Sequence, residues 1–312
     1  MHKGKRTIKM VIGVLSLLFV FFIIWINQAT PTSHPVIPSV LGQKSNYQSL
    51  VNSLSTGKKI SVKKIKSANW KVPLSGLLNL DAEAAQHAGL EDHDENIQIY
   101  TFHLTHPIHG DFLIDTGISS QFYNDPQSLG IPSWLGSLYG LEKMTALTTT
   151  EDYINEQNVA LKGVFLTHLH LDHISGMSAI NKQVPLYVGQ GETQERYFLY
   201  AATQGITDIM LEGRPALQEW AADYIDVFGD GSVFAIHSPG HTAGSTAYLV
   251  NSIEGPVLFT GDASHTSWGW NHSVEPGSFS TDQIRSRASL NKLIKLVKSY
   301  PEISVQPGHQ SL

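Results

Sequence analysis

A dense run of metal-binding residue types is the strongest chemical signal in this sequence. His168, His170, Asp172 and His173 lie within six consecutive positions. Neutral imidazole and carboxylate groups are natural ligands of zinc and related ions, and ligands placed close together on one loop lose less entropy when a site assembles. Because the run directly follows the apolar residues 163–167, the pattern predicts a metal site at the end of a strand.

Three later motifs each contain one more candidate ligand next to a glycine. His241 lies in Ser-Pro-Gly-His-Thr-Ala-Gly-Ser, Asp262 in Phe-Thr-Gly-Asp, and His309 in Gln-Pro-Gly-His. An earlier segment, Leu-Ile-Asp-Thr-Gly, places Asp115 after another apolar run. In this order, and with the first run in the form H-x-H-x-D-H, the motifs resemble those of the metallo-β-lactamase superfamily. The resemblance covers about residues 98–309.

The resemblance implies a fold and a ligand set. The fold is α/β, an αββα sandwich of two mixed β-sheets flanked by helices. The cofactors are two divalent metal ions, for which zinc is the default and manganese or iron is compatible. In the family's arrangement one ion would be bound by His168, His170 and His241 and the other by Asp172, His173 and His309, with Asp262 bridging both. Asp115 would orient a ligand imidazole, or it is a turn residue that caps its own loop.

The same resemblance implies hydrolysis. Two cations that share a water lower its pKa from about 15.7 towards neutrality, and the resulting metal-bound hydroxide attacks a carbonyl. Asp172 and His265 are the candidate catalytic residues. His265 stands three positions after Asp262, where related lactonases commonly have a tyrosine. A histidine there either donates a proton to the substrate or is a surface loop residue. Trp268 and Trp270 either form an aromatic wall over the site or pack within a long loop.

The spacing of the ligand motifs is similar to that of the N-acyl homoserine lactonases in this superfamily. The intervals are 68 residues from His173 to His241, 21 to Asp262 and 47 to His309. We therefore expect an exported, dinuclear hydrolase of a lactone or related ester, with a small molecule as its partner. The alternatives are β-lactamase, thioesterase or phosphodiesterase activity at the same site, an iron-dependent oxidoreductase, or a metal-binding protein without catalysis. A cysteine-ligated β-lactamase is excluded because the chain has no cysteine.

Alternating and periodic apolar residues predict the elements that must position these groups. Strands are expected around 99–104, 112–114, 163–167, 233–236, 246–250, 256–260 and 303–305. A helix is expected over 282–299, where apolar residues recur at helical spacing, and shorter helices over 197–204 and 215–224. Several candidate ligands directly follow these strands, which is where functional groups are commonly mounted.

The first 29 residues have the composition of an export segment. Lys3, Lys5, Arg6 and Lys9 precede the uncharged residues 10–26. This pattern predicts a signal peptide or an N-terminal signal anchor with a transmembrane helix, and hence an extracytoplasmic protein that is membrane-anchored or secreted. Residues 30–66 are expected to form a linker and a poorly defined lead-in, and residues 67–312 the hydrolase domain.

The charge balance argues against nucleic acid as a partner. Of the 21 Lys and Arg residues, four precede residue 10, which leaves 17 against 27 Asp and Glu. The resulting net charge of about −10 lacks the basic surface that a phosphate backbone requires. The absence of cysteine fits an oxidising compartment, and the sequence carries no signal that defines an oligomeric state.

Overall fold

Strands and mostly short helices alternate along the chain in this computed structural model, which describes residues 15–23 and 26–312. The strands are β1 (Val36–Pro38), β2 (Gln43–Lys44), β3 (Ser61–Pro73), β4 (Asp94–His106), β5 (Gly110–Ile114), β6 (Thr145–Ala146), β7 (Leu161–Phe165), β8 (Leu186–Val188), β9 (Leu217–Glu219), β10 (Tyr224–Asp226), β11 (Val233–His237), β12 (Thr246–Ser252), β13 (Gly255–Phe259) and β14 (Ser304–Gln306). The helices after residue 26 are α1 (Tyr47–Thr56), α2 (Leu74–Leu77), α3 (Glu83–His87), α4 (Ser120–Asn124), α5 (Ser133–Tyr139), α6 (Thr150–Gln157), α7 (Leu171–Ile174), α8 (Tyr200–Leu211), α9 (Ser267–His272) and α10 (Gln283–Ser299).

Within the described residues, the strands form two sheets. The order of the first is β1-β9-β8-β7-β5-β4-β3-β6, and the order of the second is β14-β13-β12-β11-β10-β2. The first sheet is parallel from β1 to β5 and antiparallel from β5 to β6. The second is antiparallel except for the pair of β13 and β14. Two mixed sheets with helices on their outer faces confirm the predicted αββα sandwich.

Three apolar layers hold the sandwich together. Between the sheets, the ring centroids of Phe102 and Phe259 lie 4.3 Å apart, and Phe165 and Tyr248 are buried beside them. A second layer packs α4 and α8 on the first sheet, and a third packs α1 and α10 on the second. β7 is buried on both faces, which explains why its sequence is continuously apolar near its end rather than alternating.

α10 positions one of the candidate ligand loops. Leu290, Leu293 and Ile294 form its buried stripe, as the predicted helical periodicity requires. The side chain of Asp282 caps the helix by accepting the N–H of Arg285 at 2.9 Å. On the same helix, the Ser289 hydroxyl donates to the carbonyl of Pro239 at 2.7 Å, and this contact fixes the loop that follows β11.

The largest difference from the expected secondary structure lies at residues 215–224, where the helix predicted from the sequence is absent. These residues contain β9 and lead into β10. Leu217 is fully buried, and β9 pairs in parallel with both β1 and β8. Pairing on both edges outweighs a weak local preference for helix. Residues 30–66, expected as a linker and lead-in, contain β1, β2, α1 and the first part of β3.

The prediction of a transmembrane helix is wrong. The part of the chain that the structure describes contains no helix that is both long and apolar enough to cross a bilayer. Residues 15–23 are helical. Residues 10–14 and 24–25 of the predicted segment lie outside the described residues.

Candidate metal centre and pocket

The seven predicted metal ligands converge at one edge of the sandwich. They come from four segments: the loop after β7 and α7 itself (His168, His170, Asp172, His173), the loop between β11 and β12 (His241), the turn after β13 (Asp262) and the residues after β14 (His309). The approach of the last two segments depends on Gly308, because a Cβ at that position would collide with Oδ1 of Asp262. The backbone therefore brings His309 directly beside Asp262.

The first group of candidate ligands consists of three imidazoles that face one another. Nε2 of His241 lies 2.8 Å from Nδ1 of His170 and 3.1 Å from Nε2 of His168. His168 and His241 are buried and His170 is half-buried. One nitrogen from each ring lies within 4.8 Å of the other two, so one ion can be held by all three.

The second group consists of Asp172, His173, Asp262 and His309. Oδ2 of Asp172 lies 3.2 Å from Nε2 of His309 and 3.6 Å from Nε2 of His173. Oδ2 of Asp262 lies 3.3 Å from Nε2 of His173 and 3.3 Å from Nε2 of His241 in the first group. Asp262 therefore stands between the two groups, which is where a bridging carboxylate would have to be.

Unpartnered polar atoms in this cluster fit a bound cation. Nε2 of His173 and Oδ1 of Asp262 are buried and have no hydrogen-bond partner. Leaving such atoms unpaired costs about 1–3 kcal/mol each, and a metal ion would satisfy both. The donor set is all imidazole and carboxylate, and it suits zinc and, less selectively, manganese or iron.

The electrostatics of the two groups differ. Burial lowers the pKa of His170 to about 4 and lowers the pKa values of His168 and His241 well below their usual range. These three rings are therefore neutral at pH 7, the form that ligates a metal. In the second group burial opposes the charged form of His309, yet the carboxylates of Asp262 and Asp172 raise its pKa to about 10. The second group is thus built to hold positive charge.

Asp115 lies behind the second group, at the position expected for an orienting carboxylate. Its Oδ2 lies 2.8 Å from Nδ1 of His173, and its Oδ1 accepts the N–H of Thr167 at 2.8 Å. The Thr167 hydroxyl also donates to Oδ2 at 2.9 Å. The backbone of Asp115 has a φ of 53°, a left-handed conformation that the turn imposes. Asp115 therefore directs Nε2 of His173 towards the ligand cluster.

Carbonyl and hydroxyl partners fix two more rings. Nδ1 of His309 donates to the carbonyl of Gln98 at 3.0 Å, so its Nε2 faces the carboxylates. Nδ1 of His241 lies 3.2 Å from the hydroxyl of Ser280. Partners of this kind select the tautomer and the orientation of a metal-ligating imidazole.

His265 is buried inside the site rather than exposed on a loop. Its Nδ1 donates to the carbonyl of Leu77 at 2.9 Å, and its Nε2 lies 3.0 Å from Oδ2 of Asp262. The ring stacks on His309 with centroids 5.6 Å apart and an angle of 18°. His265 also forms a third possible ligand group with His241 and Asp262.

The two tryptophans after His265 do not form a wall over the site. Trp270 is buried in the apolar layer beneath α10, and Trp268 stacks on His272 with centroids 4.0 Å apart. Neither side chain lines the pocket at the ligand cluster. Of the two interpretations considered for this segment, ordinary packing is the one that the structure supports.

A pocket of about 240 Å³ opens directly onto the ligand cluster. His170, Asp172, His241, Asp262, His265 and His309 form its polar end. The rest of its wall is mainly apolar and aromatic, and it includes Trp70, Leu77, Tyr139, Leu199, Tyr200 and Phe279. None of the described residues that line it is a lysine or an arginine. The arrangement can hold a neutral, largely apolar molecule with one end at the candidate metals.

Residues 29–34, here called the N-terminal strap, complete the pocket wall through Pro31. The strap is fastened to α8: the amide N–H and the hydroxyl of Ser33 donate to the Asp208 carboxylate at 2.8 and 2.6 Å. The Thr32 hydroxyl donates to the same carboxylate. Sequence reasoning missed this contribution, because a Pro- and Ser-rich stretch carries no signal of the distant segment on which it packs.

Residues 105–309 match the metallo-β-lactamase superfamily. The N-acyl homoserine lactonase AttM of Azorhizobium caulinodans is 28% identical over 221 residues, which cover 64% of this chain and 78% of that protein. A solved N-acyl homoserine lactone hydrolase with N-hexanoyl-L-homoserine at its catalytic metal centre superposes with a TM-score of 0.59 at 19% identity, covering 81% of this chain and 94% of that one. The dizinc quorum-quenching lactonase AidC superposes with a TM-score of 0.53 at 16% identity, covering 80% and 90%. At these identities the two structures show a shared fold.

Proposed function

Because the chain belongs to the metallo-β-lactamase superfamily, we propose that its two ligand groups form a dinuclear centre that hydrolyses an uncharged lactone or related ester with an apolar acyl group. The coarser assignment follows from the family and its members: the protein is a metal-dependent hydrolase of lactonase-like type. What the proposal adds is the number of ions, zinc as the default metal, and the chemistry of the substrate.

One observation carries the choice of substrate. The ligand cluster forms the end of an apolar pocket whose described lining residues include no lysine or arginine. Apart from the metal ions themselves, an anionic substrate such as a phosphodiester would find no cationic side chain there to offset the loss of its hydration. An acyl chain gains about 25 cal/mol for each Å² of apolar surface that it buries. The names of the relatives, several of which are N-acyl homoserine lactonases, support a lactone in particular.

Some residues of this chain would bind the substrate, and others would transfer protons. When bound, the two ions would supply Lewis acidity and a nucleophilic water at neutral pH. The apolar wall, with Tyr139 and Leu199, would hold the acyl group and exclude bulk water from the reacting bond. Asp172 lines the pocket beside His309, and Nε2 of His265 lies 3.0 Å from Oδ2 of Asp262. With its Nδ1–H held by the Leu77 carbonyl, the doubly protonated ring of His265 would donate the Nε2 proton to the departing oxygen.

The test is a hydrolysis panel with the full chain loaded with zinc. We expect homoserine lactones or simple esters with long acyl chains to be turned over faster than a β-lactam, a thioester or a phosphodiester. The protein should bind close to two zinc equivalents, and His170→Ala should lose metal and activity together. His272→Ala, at an exposed histidine outside the pocket, is the matched control and should retain both. Full activity in a chelated, metal-free sample, or turnover of another substrate class alone, would refute the proposal.

We also propose that the protein is exported. Four cations before residue 10, followed by an uncharged apolar segment, and a chain without cysteine support this location. Because the strap begins at Ala29 and forms part of the pocket wall, removal of a leader should occur before that residue. N-terminal sequencing of the protein recovered outside the cytoplasm would test this. Recovery of the intact chain only from the cytoplasm would contradict it.

A further inference from the structure

The carboxyl group of Glu192 is a buried acid that the chemistry above does not use. Glu192 follows β8 and is fully buried. Its Oε1 accepts the N–H of Leu169 at 2.7 Å, and its Oε2 accepts the hydroxyl of Thr242 at 2.6 Å and the N–H of Gly244 at 3.0 Å. All three donors come from the two loops that carry the first group of ligands.

The positions of these donors relate Glu192 to one metal site and not to the other. Leu169 stands between His168 and His170, and Thr242 directly follows His241. One carboxyl group therefore ties together the two loops whose imidazole nitrogens approach within 2.8 Å. The second group is held instead by Asp115, which contacts His173, and by the Gln98 carbonyl, which accepts from His309.

The environment of Glu192 argues against a role in packing alone. Among the described residues it has no ion pair with a lysine or an arginine, and burial raises its pKa to about 7. A buried carboxyl group without a cationic partner is costly unless its oxygens are hydrogen-bonded. A Cβ at Gly244 would collide with Glu192. The loop after His241 can therefore pack against Glu192 only because residue 244 is a glycine. The fold therefore places a buried, hydrogen-bonded carboxyl group where its two oxygens reach both ligand loops.

We propose that Glu192 is a positioning residue that holds the His168–His170 loop against the His241 loop and thereby sets the affinity of the first metal group. This inference rests on the proposed dinuclear centre. Glutamine cannot replace it fully, because its amide nitrogen would face an N–H donor at Leu169 or at Gly244. Aspartate is one methylene shorter and cannot reach both loops from the same backbone.

The experiment measures metal binding by the full chain with zinc, in competition with a chelator of known affinity. In Glu192→Gln and Glu192→Ala we expect one zinc equivalent to bind about 10–100-fold more weakly and the other to be unchanged. His170→Ala should weaken the same equivalent and His309→Ala the other one. Cobalt in place of zinc gives a second readout, because the visible absorption of the first equivalent should change in the Glu192 variants.

Glu219→Gln is the matched control. Glu219 accepts the N–H of Gly191, next to Glu192, at 3.0 Å, but among the described residues it has no hydrogen bond to either ligand loop. This variant should bind both equivalents as the unmodified protein does. If the Glu192 variants bind both equivalents with unchanged affinity and lose only thermal stability, the role is structural and the proposal is overturned. The readout is metal content, so it remains decisive even when a lactone is the wrong substrate.

Discussion

Nε2 of His265 lies 3.0 Å from Oδ2 of Asp262, the carboxylate that stands between the two ligand groups. The Leu77 carbonyl holds the other ring nitrogen at 2.9 Å, so the ring cannot turn away without losing that hydrogen bond. A histidine fixed in this way adds a further imidazole to the site. The first prediction concerns its role.

Replacing His265 with alanine should lower kcat about 10²–10⁴-fold, the usual contribution of a positioned proton donor. Zinc content should stay close to two equivalents, because all seven predicted ligand side chains are intact. The check is steady-state kinetics together with metal analysis of the same sample. Trp268→Phe, outside the pocket, should leave kcat unchanged. Loss of one zinc from His265→Ala would instead make His265 a ligand, through its group with His241 and Asp262.

Replacing Asp115 with asparagine should weaken zinc binding at the second group about 10–100-fold. The reason is that asparagine cannot supply the carboxylate that holds Nδ1 of His173 at 2.8 Å. Asparagine tolerates the left-handed backbone at this position, so the turn itself should survive. Asp111→Asn, whose carboxylate pairs with His103, is the control and should bind zinc normally. If the two variants bind zinc with equal affinity, Asp115 does not orient a metal ligand.

Placing a large side chain in the pocket should change which acyl-chain lengths the enzyme prefers, without changing the reaction that it catalyses. Thr203 lines the pocket from α8, and phenylalanine there would occupy part of the 240 Å³. For Thr203→Phe we expect the KM of a long-acyl substrate to rise at least about 10-fold, a loss of ~1.4 kcal/mol of binding, while a short-acyl substrate is little affected. Ala202→Phe, on the exposed side of the same helix, is the control. If KM rises equally for both substrates, the acyl group does not bind beside Thr203.

The stability of the metal-free protein should depend on the protonation of Glu192. Burial raises its pKa from 4.5 to about 7, so between these values the folded chain binds a proton that the unfolded chain releases. Stability from this group therefore falls as pH rises through that window. In thermal unfolding, the advantage of the unmodified protein over Glu192→Gln should shrink from about pH 5 to about pH 8. A constant or growing difference would show that the carboxyl group is ionised throughout.

Much of the site is predictable from sequence, because the ligands sit in short motifs that follow apolar strands. The strands that lead to His168, Asp262 and His309 lie where the apolar runs place them. The structure of residues 215–224 was harder to predict, because it is decided by the pairing of β9 with two other strands. No local sequence pattern indicates that pairing. The environment of His265 was also hidden, because its partner Leu77 lies 188 positions away.

The pocket wall is the part of the site that could least be predicted from the sequence. It joins Pro31, Trp70, Tyr139, Tyr200 and Phe279, which are far apart in the chain. None belongs to a motif, and a single sequence offers no way to bring them together. Glu192 was missed for a related reason: one acid after a glycine has no recognisable spacing to a ligand, and its meaning comes from the two loops that meet on it.

The origin of the pocket wall has a consequence for how such enzymes diversify. The family match begins at residue 105, whereas Pro31 and the segment from Trp70 to Leu77 precede it. Part of the pocket wall therefore lies outside the segment that carries the metal-binding side chains. Substitutions at Pro31, or between Trp70 and Leu77, can therefore reshape this part of the pocket while every metal-binding side chain is retained.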